Sequence, residues 1–183
     1  MTTNTTGASE AYSDAEISAI LSDNRVFALV GASANTSRPS AFVMKYLLNK
    51  GYTVHPINPG QAGGTIMGQT VYARLADVPA PVDIVDIFRN AEAAAAITDE
   101  AIALKEALQI KVVWMQLGVR HEGARDRAQA AGLQVVMNRC PKIEYARLSG
   151  EIGWAGVNAK RISSVRPQLA GTGVQNHGLR RGS

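Results

Sequence analysis

R-V-F-A-L-V-G-A-S-A-N-T-S-R-P-S, residues 25–40, places an apolar run before a stretch of small polar residues and then opens a helix-period segment. Residues 26–30 suit a buried strand and residues 31–37 a tight turn. Pro39 suits the first turn of a helix, where its missing N–H costs nothing. In a strand–turn–helix unit of this kind, the first amides of the helix point outward unpaired, and the macrodipole adds partial positive charge. The turn is therefore expected to seat an anion, phosphate above all, with Arg38 as a charged partner.

On the N-terminal side, Ser13 precedes Glu16 by three residues, as in a capping box, and Ile17, Ile20 and Leu21 share one helical face. Residues 1–12, rich in Thr, Asn and Ser, are expected to be disordered. On the C-terminal side, Phe42, Val43, Tyr46, Leu47 and Leu48 recur at helical spacing, and Gly51 supplies the stop. Further strands are predicted over residues 52–57, 82–88, 111–117 and 133–137. Helical patterns cover residues 90–109, as one broken helix or two short ones, then 122–132 and 143–148. Between the second and third strands lie a Gly-rich excursion, residues 61–68, and a half-turn at residues 75–78. Asp83 and Asp86 are expected near the ends of the third strand or facing polar neighbours.

Near-continuous apolar strands alternating with helices predict an α/β fold, a Rossmann-like doubly wound, five-stranded, mainly parallel sheet with helices on both faces. One domain, residues 13–150, is expected, followed by a basic and partly flexible tail, residues 151–183.

The chain has 183 residues and a single cysteine, Cys140, so it forms no internal disulfide, and its length needs neither disulfide nor metal to fold. It contains no apolar run near the ~20 residues of a membrane span, and its first residues resemble neither a signal nor a transit peptide. A cytoplasmic protein away from membranes is expected. The pI is near 9.4, yet residues 1–159 hold 14 Lys/Arg against 15 Asp/Glu, whereas residues 160–183 hold five basic residues and no acid. The basicity belongs to the tail. Without interleaved aromatics, it argues for a solvated segment rather than nucleic-acid binding.

Residues just beyond each strand share one rim in such a fold, and ligands sit there. That rim holds glycines, amides, hydroxyls and the arginines Arg38, Arg89 and Arg139, but no pair of carboxylates. His55, His121 and His177 have no evident partner for acid–base work. A nicotinamide dinucleotide normally requires G-x-G-x-x-G and an acid after the second strand. Here those positions read Gly31, Ser33 and Thr36, followed by Asn58-Pro59. No Gly-Lys-Ser/Thr follows the turn, which excludes a Walker loop as well.

V-G-A-S-A-N-T-S-R-P-S, H-P-I-N-P, V-D-I-V-D-I-F-R, V-W-M-Q-L-G-V and V-V-M-N-R-C-P-K-I-E, in this order from residue 26 to 148, resemble the small bacterial CoA-binding proteins. Their fold is similar to the CoA-binding domain of the succinyl-CoA synthetase α subunit. The resemblance implies a Rossmann-like domain holding coenzyme A or an acyl-CoA along the strand ends. It further implies Gly31, Ala32, Ser33, Arg38 and Ser40 at the phosphates, and Asn58 and Pro59 along the groove near the nucleotide. Phe88 and Arg89 would border the adenine or pantetheine path, with Gln116 and Gly118 beside the pantetheine arm. The synthetase's second domain, with its phosphorylated histidine, has no counterpart here. The expected role is therefore non-catalytic, as a carrier, sensor or accessory subunit. The alternatives are an NAD(P)-dependent oxidoreductase, or an acyl-CoA-transforming enzyme completed by a partner chain.

Cys140 follows the fifth strand beside Arg139 and a helix start. Both would lower a thiol pKa and suit a redox thiol able to form a mixed disulfide with the coenzyme; the simpler reading is a small buried packing residue. Trp114, Met115, Met137 and Trp154 are read as core. Gly153, Trp154 and Gly156 are read as packing on the domain or on a second subunit of a homodimer, a choice the sequence leaves open.

Overall fold

Helix α1 (Asp14–Asp23) is the first element of the computed structural model, which describes residues 12–151. It begins with the anticipated capping box, in which the Ser13 hydroxyl accepts from the Glu16 amide while the Glu16 carboxylate accepts from the Ser13 amide. Strand β1 (Val26–Val30), helix α2 (Pro39–Asn49) and strand β2 (Thr53–Ile57) follow, then a two-residue hairpin of β3 (Thr65–Ile66) and β4 (Gln69–Thr70). The remaining elements are β5 (Ile84–Ile87), α3 (Ala91–Ala103), α4 (Lys105–Leu108), β6 (Val112–Met115), α5 (Glu122–Ala130), β7 (Gln134–Val136) and α6 (Pro141–Leu148).

The five long strands form one parallel sheet in the order β2-β1-β5-β6-β7. After β2 the chain returns across β1 to start β5, so the winding reverses between β1 and β5. Crossover helices on both faces require every strand to be apolar on both sides, which explains the continuous rather than alternating runs. Phe27, Leu29, Ile84, Val112 and Trp114 point to the side packed by α1, α2 and α6. Ala28, Val85, Ile87, Val113 and Met115 point to the side packed by α3, α4 and α5, where Ala94, Ala101, Ala124 and Ala128 allow close approach.

Three local expectations change. Phe42 is 52% exposed rather than on the buried face of α2, where Val43, Met44 and Leu47 meet the sheet; the helical rotation carries its neighbour outward. The Lys142 ammonium lies 5.9 Å from the Phe42 ring centroid. The Gly-rich excursion is structured: the hairpin brings Tyr72 back to bridge Ile57, with the Tyr72 amide donating to Pro56 and the Asn58 amide to Tyr72. Strands of two residues are too short to leave a periodic signal. Tyr12, assigned to the leading segment, is packed: its hydroxyl accepts from the Met137 amide at 2.9 Å. Trp154, Gly153, Gly156, His177 and the basic tail lie outside the described residues.

The end of α2 is tied to the end of α6 by a buried ion pair. Lys50 is fully buried, lies 5.1 Å and 5.6 Å from the ring centroids of Tyr46 and Tyr145, and donates to the Glu151 carboxylate, which also accepts from the Tyr46 hydroxyl. Removing one charge of such a pair strands the other. Glu151→Gln is expected to cost about 2 kcal/mol, below the full penalty because glutamine keeps an acceptor. The midpoint of a urea unfolding curve measures this, and an unchanged midpoint would show that the pair contributes nothing.

Candidate functional site

At the carboxyl ends of β1 and β5, where the winding reverses, lies a cleft of about 1040 Å³. Gly31, Ala32, Ser33, Arg38, Ser40, Asn58, Pro59, Phe88, Arg89 and Gln116, all anticipated from the sequence, line it together with Cys140. Gly118 does not: its amide is turned to the Asn138 side chain, and its neighbours Leu117 and Val119 reach the cleft instead. Arg139 is also directed elsewhere. Its guanidinium packs over the Tyr12 ring and approaches Glu144 at 3.8 Å, while its carbonyl accepts from the Trp114 indole.

The turn after β1 is more internally bonded than an open amide nest. The amides of Gly31 and Ala32 both donate to the Ile57 carbonyl, Ala34 to the Gln61 side chain, Asn35 to the Ser33 hydroxyl and Ser37 to the Asn35 side chain. The Asn58 amide group donates to the Ala32 carbonyl at 2.7 Å and its oxygen accepts from the Gly60 amide. Asn58 thus locks the β1 turn to the end of β2. Of the turn residues lining the cleft, Ser33 and Ser40 keep their amides and hydroxyl protons for an anion, with Arg38 at the N-cap of α2. The turn is rigid because most of its donors are already used.

Gly31 holds φ at +90°, and a Cβ there would lie 2.6 Å from the Phe88 carbonyl oxygen. The β1 turn and the β5 end therefore touch backbone to backbone, with the Arg89 stem laid over the glycine.

Charge is distributed unevenly around the fold. Arg74, Arg120, Arg125, Arg127, Arg139 and Arg147 each meet a carboxylate within 4 Å. The guanidiniums of Arg38 and Arg89, both exposed at the cleft, have no ion pair or hydrogen bond among the described residues. Asp86, three residues before Arg89, does not pair with it: it is fully buried, with one oxygen accepting from Gln116.

Sequence reasoning missed one wall. Ala73, Arg74 and Leu75 come from the segment after the hairpin, and Ala93, Ala96, Ile97 and Glu100 from one face of α3. The only local signal was the Ala-rich composition of α3; that this face meets residues 73–75 depends on the return from the hairpin.

The titratable groups are set by burial. Asp83 caps the start of the sheet: burial raises its pKa, but hydrogen bonds from Lys111 and the Arg25 and Val26 amides outweigh that and hold it below the ordinary carboxylate value. For Asp86 burial wins. Its pKa is pushed up to about 7, although a hydrogen bond from Gln116 favours ionisation. Burial also pushes the Cys140 thiol up, with the nearby Asp86 adding to the shift. This is opposite to the activation expected from Arg139 and the helix start, because Cys140 is desolvated and Arg139 turns away from it. His121 is a helix cap, its Nδ1 accepting from the Ala124 amide. His55 lies 5.8 Å from the Tyr72 ring, centroid to centroid, and burial lowers its pKa. No helix among the described residues is long and apolar enough to cross a membrane.

Comparison with known proteins places this geometry in context. The family described as a CoA binding domain matches residues 25–146. The uncharacterized protein YneT of Bacillus subtilis (strain 168) is 31% identical over 134 residues, covering 73% of this chain and 95% of that protein. The structure of cell-free ID.343 from Thermus thermophilus is 37% identical, with a TM-score of 0.69, covering 74% of this chain and 98% of that one. The dinucleotide-forming acetyl-coenzyme A synthetase 1 of Ca. Korarchaeum cryptofilum shares the fold at 24% identity and a TM-score of 0.54, covering 64% of this chain and 26% of the synthetase.

Proposed function

We propose, on the premise that this chain belongs to the family of CoA binding domains, that its cleft holds coenzyme A or an acyl-CoA and that the protein performs no catalysis of its own. It would act as a carrier, a sensor or an accessory subunit. Membership of the family supports association with coenzyme A in general; the particular roles of residues are our reading of the cleft.

The observation that carries the reading is the pair of guanidiniums, Arg38 and Arg89, that have no partner among the described residues, beside the amides of Ser33 and Ser40. An arginine fork and helix-end amides together bind phosphate oxygens well. In this account the phosphates lie against the β1 turn and the start of α2. The nucleotide follows Asn58 and Pro59, and the pantetheine arm passes Phe88 toward Gln116. The non-catalytic role is supported by the cleft's lining. Its carboxylate, Glu100, lies on α3 near Arg74, burial pushes its thiol up and so disfavours the thiolate, and Asp86 is fully buried. Asn58 spends its side chain on the Ala32 carbonyl and the Gly60 amide, which weighs against a nicotinamide ribose at that strand end.

Thermal-shift and calorimetric titrations with CoA, acetyl-CoA, NAD, NADP and ATP test the proposal, since a ligand that binds only the native state raises its apparent stability. Stabilisation selective for the CoA species is expected. Arg38→Ala should weaken CoA binding about tenfold, as befits loss of one charge-assisted contact. Stabilisation by NAD or NADP alone would overturn the reading and make hydride transfer the next assay.

A further inference from the structure

Gln116 is 7% exposed and lines the cleft at the end of β6, while Asp86, on the adjacent strand β5, is wholly enclosed. Gln116 Nε2 donates to Asp86 Oδ1 at 2.7 Å. The other carboxyl oxygen, Oδ2, is buried and has no hydrogen-bond partner among the described residues. Ionised or protonated at its other oxygen, the carboxyl presents Oδ1 as an acceptor to Gln116, so the glutamine amide is oriented with its nitrogen toward Asp86 and its oxygen away. No group among the described residues donates to that oxygen, and it is not among the sealed polar atoms without partners. It is therefore left for the cleft.

We propose that Gln116 offers its side-chain oxygen to a hydrogen-bond donor of the ligand, an amide N–H of the pantetheine arm, and that Asp86 is the positioning residue that keeps the oxygen facing that way. This rests on the reading of the cleft as a CoA site. A buried carboxyl with one oxygen unsatisfied is costly to the fold, and an apolar residue between β1 and β6 would be cheaper. Its retention is explained if the amide it holds has a directional task. The donor so recognised is common to CoA and acyl-CoA, so Gln116 would read the arm rather than the acyl group.

Calorimetric titration of the full chain with CoA, and with the nucleotide portion of CoA lacking the pantetheine arm, tests the inference. Gln116→Leu should weaken CoA binding about tenfold, the value of one hydrogen bond, and leave the nucleotide portion unaffected. Asp86→Ala should do the same, and the double variant should be no weaker than Gln116→Leu alone, because a residue acting through another is not additive with it. Equal loss for both ligands, or an additional loss from Asp86→Ala in the Gln116→Leu background, would overturn it. If Asp86→Ala fails to fold, Gln116→Leu decides alone: unchanged CoA affinity sinks the proposal. Failure of the parent chain to bind CoA would remove the underlying reading instead, and it is seen separately in the parent titration.

Discussion

Gly31→Ala is expected to lower stability by about 4 kcal/mol and to abolish ligand-induced stabilisation by CoA. At φ +90° alanine is strained by about 1–2 kcal/mol. Its Cβ would also stand 2.6 Å from the Phe88 carbonyl oxygen, a backbone atom that no rotamer change can move aside. Relieving that overlap means separating the β1 turn from the end of β5, at about 1–3 kcal/mol for a shift of packed structure. The Phe88 amide donates to Val30 at 2.8 Å and would be drawn into the same movement. Because Arg89 lies over Gly31, the displacement would also disturb one of the two cleft arginines. Chemical denaturation with and without CoA measures both effects. A variant of parental stability would show that the two strand ends are not held as closely as described.

The second large effect concerns Asp86 and pH. With the carboxyl pushed up to about 7 in the fold and near 4 in the unfolded chain, both states are protonated at pH 3, and the residue then contributes no pH-dependent term. Between about pH 4 and about pH 7 the unfolded chain releases a proton that the native state keeps, so stability falls by about 1.4 kcal/mol per unit. Above about 7 both states are ionised and the loss, about 4 kcal/mol, is complete. Asp86→Asn removes this term. Other groups act in neighbouring ranges: Asp83, held low, loses its contribution only below about pH 4, and His55, lowered by burial, makes stability rise with pH below about 6.5. The quantity to measure is therefore the difference in unfolding free energy between Asp86→Asn and the parent, which cancels those groups. It should shift in favour of the variant by about 4 kcal/mol from pH 4 to pH 8. A difference constant with pH would show that Asp86 ionises freely despite its burial.

The two effects follow from the same arrangement. The sheet reverses its winding between β1 and β5, so the residues closing those strands meet above the reversal and those within them are enclosed. Gly31 is the contact above, Asp86 the enclosed group below, and Gln116 links the enclosed carboxyl to the cleft.

Much of this was legible in the chain itself. The capping box at Ser13, the proline opening α2, the glycine closing it and the five apolar runs are all set by neighbours within a few residues, and backbone sterics and side-chain periodicity act over that range. Ten of the residues singled out for the ligand, from Gly31 to Gln116, line one cleft because a parallel doubly wound sheet necessarily gathers its strand ends on one side. Tertiary structure decided the rest. The hairpin of β3 and β4 exists through its return to β2, and the wall made by α3 and residues 73–75 depends on that return. Gly118 and Arg139 belong to strand-end segments yet point away, since each found a partner elsewhere, in Asn138 and in Glu144 with Tyr12. The raised pKa values of Asp86 and Cys140 were beyond the sequence for the same physical reason. A pKa is set by the water and charges removed from or brought to a group on folding, and those come from strands and helices far away along the chain.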